Sequence, residues 1–253
     1  MILLTDYKIE ILGVQIDQIK MEAAVKRVDK YINAHDNKRY MIVTPNAEMI
    51  VMAYDNPGFA DILNRADLSV PDGAGVVLAS HILTLPLEER VAGFDLMGKL
   101  LKLAQEKDYR VFFLGGKDSV LEKALNKIKN NFPGLKIAGS HHGYLDPALT
   151  FRLIEEINGL DVDILFVGMG VPLQERFLND NLANLKVKVA MTVGGSFDVL
   201  ADEVKRAPRW MQTLGLEWLF RLIQEPSRIG RMMALPRFVL LVFKEYLLAK
   251  VRR

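Results

Sequence analysis

Asp163-Ile-Leu-Phe-Val-Gly168-Met-Gly170-Val-Pro172-Leu173 reads as a short apolar strand running into a glycine-proline loop, with a helical pattern following at 173–184. The same alternation recurs through residues 1–200. Strand-like runs fall at Tyr40–Thr44, Leu68–Pro71, Arg110–Leu114, Lys136–Gly139, Asp163–Gly168 and Lys188–Val193. Helical patterns lie at roughly 21–34, 46–64, 73–83, 94–107, 118–131, 147–158 and 173–184. Strands alternating with helices predict an α/β fold, a Rossmann-like, doubly wound, mostly parallel sheet.

Five strand ends lead into loops of glycine, proline and polar residues: Thr44-Pro45-Asn46, Pro71-Asp72-Gly73-Ala74-Gly75, Leu114-Gly115-Gly116, Gly168-Met169-Gly170 and Gly194-Gly195-Ser196. Open α/β sheets bind ligands beyond the carboxyl ends of their strands, where backbone amides and helix N-termini favour phosphate. A nucleotide diphosphate is therefore a natural ligand, although any one of these loops is equally well an ordinary glycine turn. Gly168-Met-Gly170 lacks the third glycine of a dinucleotide fingerprint, and neither a phosphate-loop Gly-Lys-Ser/Thr nor a Gly-x-Ser-x-Gly elbow is present.

The 253-residue chain is half apolar and has no cysteine, which excludes disulfides and thiolate metal sites and fits a reducing compartment. Met1–Glu10 does not read as a signal peptide, and no apolar run reaches the roughly 20 residues of a membrane span. The net charge of +2 hides an uneven split. Residues 205–253 hold eleven Lys/Arg against three acids, so the remaining 1–204 are net acidic. The expected organisation is an α/β catalytic body, 1–204, and a basic helical appendage, 205–253. By charge alone the appendage suits either a nucleic acid or a membrane surface. Pro226 and Pro236 divide it into pieces of roughly 209–224, 226–234 and 237–251, the last amphipathic rather than spanning. An apolar tail face left in water favours self-association or docking on the body.

Asp72 stands between Pro71 and Gly73 at the end of a strand-like run and opens an apolar helix. It is either an N-cap or a base able to take a proton from an attacking sugar hydroxyl, and the two roles are compatible. Asp161-Val-Asp163 has the spacing of a sugar-nucleotide metal motif but sits at the amino end of its strand, opposite the ligand edge. His141 and His142 are adjacent on an extended segment, where side chains diverge to opposite faces. No metal ligand set and no cofactor are expected.

Thr44-Pro45-Asn46, Pro71-Asp72-Gly73, Arg90-Val-Ala-Gly93-Phe-Asp95, Phe113-Leu-Gly115-Gly116, Val167-Gly168-Met-Gly170-Val-Pro172-Leu-Gln174-Glu175 and Val193-Gly194-Gly195-Ser-Phe197-Asp198 together resemble the WecG/TagA/CpsF glycosyltransferases, in order and over nearly the whole chain. The chain looks most like the branch that transfers N-acetylmannosamine from its UDP donor, with inversion, to N-acetylglucosaminyl-diphospho-undecaprenol in wall teichoic acid synthesis. Relatives using N-acetylmannosaminuronic acid or glucose share these motifs.

The resemblance implies a metal-independent enzyme with Asp72 as general base on the acceptor 4-hydroxyl. It places Thr44 and Asn46 on the sugar or acceptor, with Asn46 alternatively a helix cap. Arg90 would neutralise the departing diphosphate, its bland reading being an ion pair with Glu88 or Glu89. Gln174 would meet the donor sugar from the helix start after Gly170, unless it is a solvated first-turn residue. Gly115, Gly116, Gly194 and Gly195 would line the nucleotide and diphosphate, with Asp198 on ribose hydroxyls, and Gly73, Gly168 and Gly170 would also bind substrate. Arg221, Arg228 and Arg231 would grip a diphosphate from the tail, unless they are a solvated basic face. The implied partners are a UDP-sugar, a polyprenyl-diphosphate-linked sugar and the membrane surface, not nucleic acid, and the implied location is cytoplasmic, peripheral at the inner face of the cell membrane. Two readings from other classes stay open: a Rossmann oxidoreductase and a membrane-surface nucleotide sensor.

Overall fold

Strands buried on both faces read as near-continuous apolar runs, and four of them form the centre of a parallel sheet. The computed structural model describes residues 7–251, with the side chain of Arg228 outside the described residues. Two units are defined, one from the described parts of 1–21, 44–92 and 206–253, the other from 22–43 and 93–205.

The first unit opens on a hairpin, β1 (Lys8–Ile11) and β2 (Val14–Asp17), paired antiparallel around Leu12-Gly13. Both turn residues have positive φ, as the tightest hairpin turns require. Its helices α2 (Ala47–Asp55) and α3 (Pro57–Asn64) replace the single helix expected over 46–64. Asn56 causes the break: its side chain accepts from Phe59 N–H and caps α3, while Pro57 starts the helix where no backbone donor is needed. The short strand β4 (Leu68–Ser69) and helix α4 (Ala74–Ile82) follow.

The same unit holds the tail helices α10 (Arg209–Thr213), α11 (Glu217–Gln224), α12 (Ile229–Met232) and α13 (Ala234–Val251). The first expected tail piece is split at Gly215, whose φ of 71° no continuing helix accepts. Pro236 lies inside the first turn of α13 instead of before it, a position that lacks intrahelical N–H partners anyway. Phe238 and Val242 bury that helix against α2 and α4, and Arg237 clasps Asp55 with two contacts of 2.5 and 2.6 Å. Its other side is also apolar: Leu240 is 70% exposed, and Phe243, Leu247 and Leu248 are exposed with it.

The second unit contains α1 (Met21–Ile32), β3 (Tyr40–Val43), α5 (Gly93–Glu106), β5 (Arg110–Gly115), α6 (Asp118–Asn131), β6 (Lys136–His141), α7 (Pro147–Asn158), β7 (Ile164–Gly168), α8 (Leu173–Asn181), β8 (Val189–Thr192) and α9 (Ser196–Leu200). Its strands lie in the order β3-β8-β7-β5-β6, every pairing parallel. Every residue of β3, β7 and β8 is buried, and all of β5 after Arg110, whereas no residue of the edge strand β6 is. This is the Rossmann-like α/β architecture expected, a parallel sheet flanked by helices.

Candidate active site

At the carboxyl ends of β5, β7 and β8 the glycine loops come together by close approach. A Cβ on Gly115 would fall 2.2 Å from the carbonyl oxygen of Gly168, and one on Gly168 would fall 2.8 Å from the Phe197 ring. Gly116 N–H donates to the Gly168 carbonyl at 3.0 Å, and Gly143 N–H donates to the Gly116 carbonyl at 3.0 Å. The loop after β6 thus joins the same junction, and sequence reasoning missed it. His141 and His142 do not diverge as expected: their rings lie 4.2 Å apart, because β6 ends at His141 and the chain turns there.

Gly168 and Gly170 lead into α8, whose first turn carries Gln174 and Glu175, both buried. Gln174 Nε2 donates to Glu175 Oε1 at 2.6 Å, and Gln174 Oε1 accepts the Gly194 N–H at 2.9 Å. Burial pushes the Glu175 carboxyl up to about 7, against the opposing hydrogen bonds of Gln174, its own backbone and Thr192. Neither Glu175 Oε2 nor Thr192 Oγ1 has a partner at full hydrogen-bond geometry, so Thr192 acts on the carboxyl from slightly beyond it. Gly195 starts α9, and Asp198, half-buried, follows in its first turn. Asp163 has a structural use, accepting the Arg110 N–H at 2.8 Å.

In the first unit, Asp72 N–H donates to the Pro45 carbonyl at 3.1 Å and Val91 N–H to the Pro71 carbonyl at 2.9 Å. These bonds place Thr44, Asn46, Asp72, Gly73 and Arg90 side by side. Thr44 is buried, and Asn46 caps α2 by accepting Met49 N–H at 3.0 Å. Asp72 is not the cap of α4: that position is Gly73, with no side-chain hydrogen bond. Arg90 does not take the expected acids. Glu88 pairs with Lys20 at 2.6 Å, while one Arg90 terminal nitrogen lies 3.5 Å from Asp72 Oδ1 and bonds directly to Glu217 Oε2. Glu217 also meets Arg206 Nε at 3.7 Å. Arg90 Nε is buried without an acceptor, a donor left for a ligand oxygen or water.

Glu217 belongs to the tail, and no motif announced it. The turn at Gly215 delivers it, since a Cβ there would lie 2.5 Å from Ala74 Cβ at the start of α4. Arg221 is half-buried in α11 and Arg231 is exposed, while the Arg228 side chain lies outside the described residues.

An aspartate that follows a strand and lies beside a guanidinium puts a proton acceptor next to a permanent positive charge. The chain matches the glycosyl transferase WecG/TagA/CpsF family over residues 9–252 and belongs to it. It is 39% identical to the N-acetylglucosaminyldiphosphoundecaprenol N-acetyl-beta-D-mannosaminyltransferase of Bacillus spizizenii over 208 residues, 82% of this chain and 80% of that protein. Proteins of the same name from Staphylococcus aureus (strain MW2) and Bacillus subtilis (strain 168) are 35% and 38% identical, covering 97% and 81% of this chain and 94% and 79% of theirs.

Proposed function

We propose that the protein transfers N-acetylmannosamine from UDP-N-acetylmannosamine to the 4-hydroxyl of undecaprenyl-diphosphate-linked N-acetylglucosamine, with inversion, making the teichoic acid linkage unit. The observation that carries this reading is the Asp72 carboxylate, excluded from capping α4 and 3.5 Å from Arg90.

In this mechanism Asp72 takes the proton of the 4-hydroxyl as its oxygen attacks the anomeric carbon. The bond from that carbon to the donor phosphate breaks, and UDP leaves with the electron pair. Arg90 balances the charge that develops on the diphosphate, a task for a planar, permanently charged group. The glycine junction with Gln174, Gly194, Gly195 and Asp198 holds the nucleotide end of the donor. Thr44 and Asn46 orient the sugar or acceptor, and Arg221, Arg228 and Arg231 add positive charge from the tail. No metal takes part in this reading.

The acceptor is lipid-linked, so the reaction runs at the inner face of the cell membrane. The exposed apolar side of α13, with Lys244, Lys250 and the other basic residues of 205–253, supports tail association with that surface. No helix among the described residues is long and apolar enough to cross it.

A transfer assay with UDP-N-acetylmannosamine and a lipid-diphosphate N-acetylglucosamine acceptor, with and without chelator, tests this. Asp72→Asn should abolish most turnover while leaving UDP binding intact, and chelator should change nothing. Equal product from the variant sinks the base assignment.

A further inference from the structure

We propose that Glu175 is the positioning residue of the donor site, holding the Gly194 turn in place through the side chain of Gln174. Gln174 is only 2% exposed, and both ends of its amide are committed: nitrogen to Glu175 Oε1 at 2.6 Å, oxygen to Gly194 N–H at 2.9 Å. The two ends of an amide are not equivalent. Turned over, it would set oxygen against the Glu175 oxygen and NH2 against the Gly194 N–H, losing both bonds at once. An acceptor at Oε1 of residue 175 therefore decides which way Gln174 points, and Gln174 in turn fixes Gly194.

Much hangs on that turn. Gly194 has a φ of 53°, and its carbonyl oxygen lies 2.9 Å from where a Cβ on Gly168 would stand. Gly195 and Ser196 then begin α9, which carries Asp198. A shift of Gly194 would disturb the β7 loop and the start of α9 together.

Glu175 is wholly buried at this point, and no charged side chain contributes to its shifted titration; burial dominates, opposed by Gln174, its own backbone N–H and Thr192. The carboxyl keeps Oε1 as an acceptor whether neutral or ionised. A proton on Oε2 leaves Oε1 free to accept, and the Thr192 hydroxyl, which also acts on this carboxyl, can donate or accept. A glutamine at 175 would reproduce the neutral acid, with its oxygen towards Gln174 and its NH2 towards Thr192. A leucine would remove the acceptor and keep the bulk.

For catalysis the inference rests on placing the UDP donor at these loops, so the test separates the two. In the full-length chain, the Gly194 amide resonance is followed against pH and UDP affinity is measured by calorimetry, for wild type, Glu175→Gln and Glu175→Leu. The wild-type Gly194 resonance should titrate near pH 7. Glu175→Gln should abolish that titration and bind UDP within about threefold of wild type, whereas Glu175→Leu should shift Gly194 and weaken UDP about tenfold or more. A Gly194 resonance that still titrates in Glu175→Gln, or that stays put in Glu175→Leu with UDP affinity unchanged, overturns the positioning role. A shifted Gly194 with unchanged UDP affinity supports the relay and overturns the donor placement instead.

Discussion

Replacing Gly215 by alanine should undock the front of the tail without unfolding the sheet. The backbone there has a φ of 71°, which for an L side chain costs about 1–2 kcal/mol. The new methyl would lie 2.5 Å from Ala74 Cβ, about 1–1.5 Å inside the separation of about 3.5–4.0 Å that carbon atoms prefer. Relieving such an overlap by backbone shifts costs about 1–3 kcal/mol more. A total of about 2–5 kcal/mol exceeds what a peripheral pair of short helices holds in reserve, while the fully buried strands β7 and β8 are untouched. Hydrogen exchange should accordingly rise across 209–224 and not across 164–192. Transfer should fall about tenfold or more as Glu217 leaves Arg90. Adding Ala74→Gly removes the overlap and should restore part of both, less the roughly 1 kcal/mol of a glycine in a helix. Wild-type protection over 209–224 together with wild-type turnover in Gly215→Ala would refute the view that this turn delivers Glu217.

Three further outcomes follow from the described contacts. Glu175 has a folded pKa raised from 4.5 to about 7, so its contribution to stability is fully present below 4.5 and is lost as pH rises through 7. At about 1.4 kcal/mol per pH unit this is about 3 kcal/mol, and denaturant melts at pH 5 and pH 8 should show Glu175→Gln flattening the wild-type slope by that order. On the proposed mechanism Arg90→Lys should lower kcat about tenfold or more with a smaller change in KM, because a point charge cannot serve Asp72, Glu217 and a diphosphate as a guanidinium would; steady-state kinetics check it. Deleting 205–253 should leave UDP binding measurable but lower the melting temperature and abolish transfer, since α2 and α4 lose the cover of Phe238 and Val242.

The parallel strands were legible because burial on both faces writes itself as an unbroken apolar run. Asp163–Gly168 was expected where Ile164–Gly168 is found, and Arg110–Leu114 where Arg110–Gly115 is found. The β1–β2 hairpin was missed since Leu12, not Asn or Asp, occupies the first turn position. The helix break at Asn56-Pro57 was written in its cap, yet the apolar periodicity ran straight across it.

In the candidate site, strand-end loops and motifs pointed to Asp72, Arg90 and Gln174. They could not reveal that Gly73 rather than Asp72 caps α4, because capping depends on one dihedral angle. Nor could they pair Arg90 with Glu217, 127 positions away. Gln174 as a solvated first-turn residue was the other reading, and only the packing around α8 shows that it and Glu175 are buried.

The unit that holds Asp72 is drawn from three separate stretches of chain, the last ending in α13. During synthesis from the N-terminus, the strands β5, β7 and β8 are complete while α13, which buries Phe238 and Val242 against α2 and α4, has not yet been made. On the proposed mechanism, a nascent or prematurely terminated chain would therefore hold a sugar-nucleotide cradle without a finished seat for its base, and a truncated product would be a silent competitor for donor, not a poor enzyme.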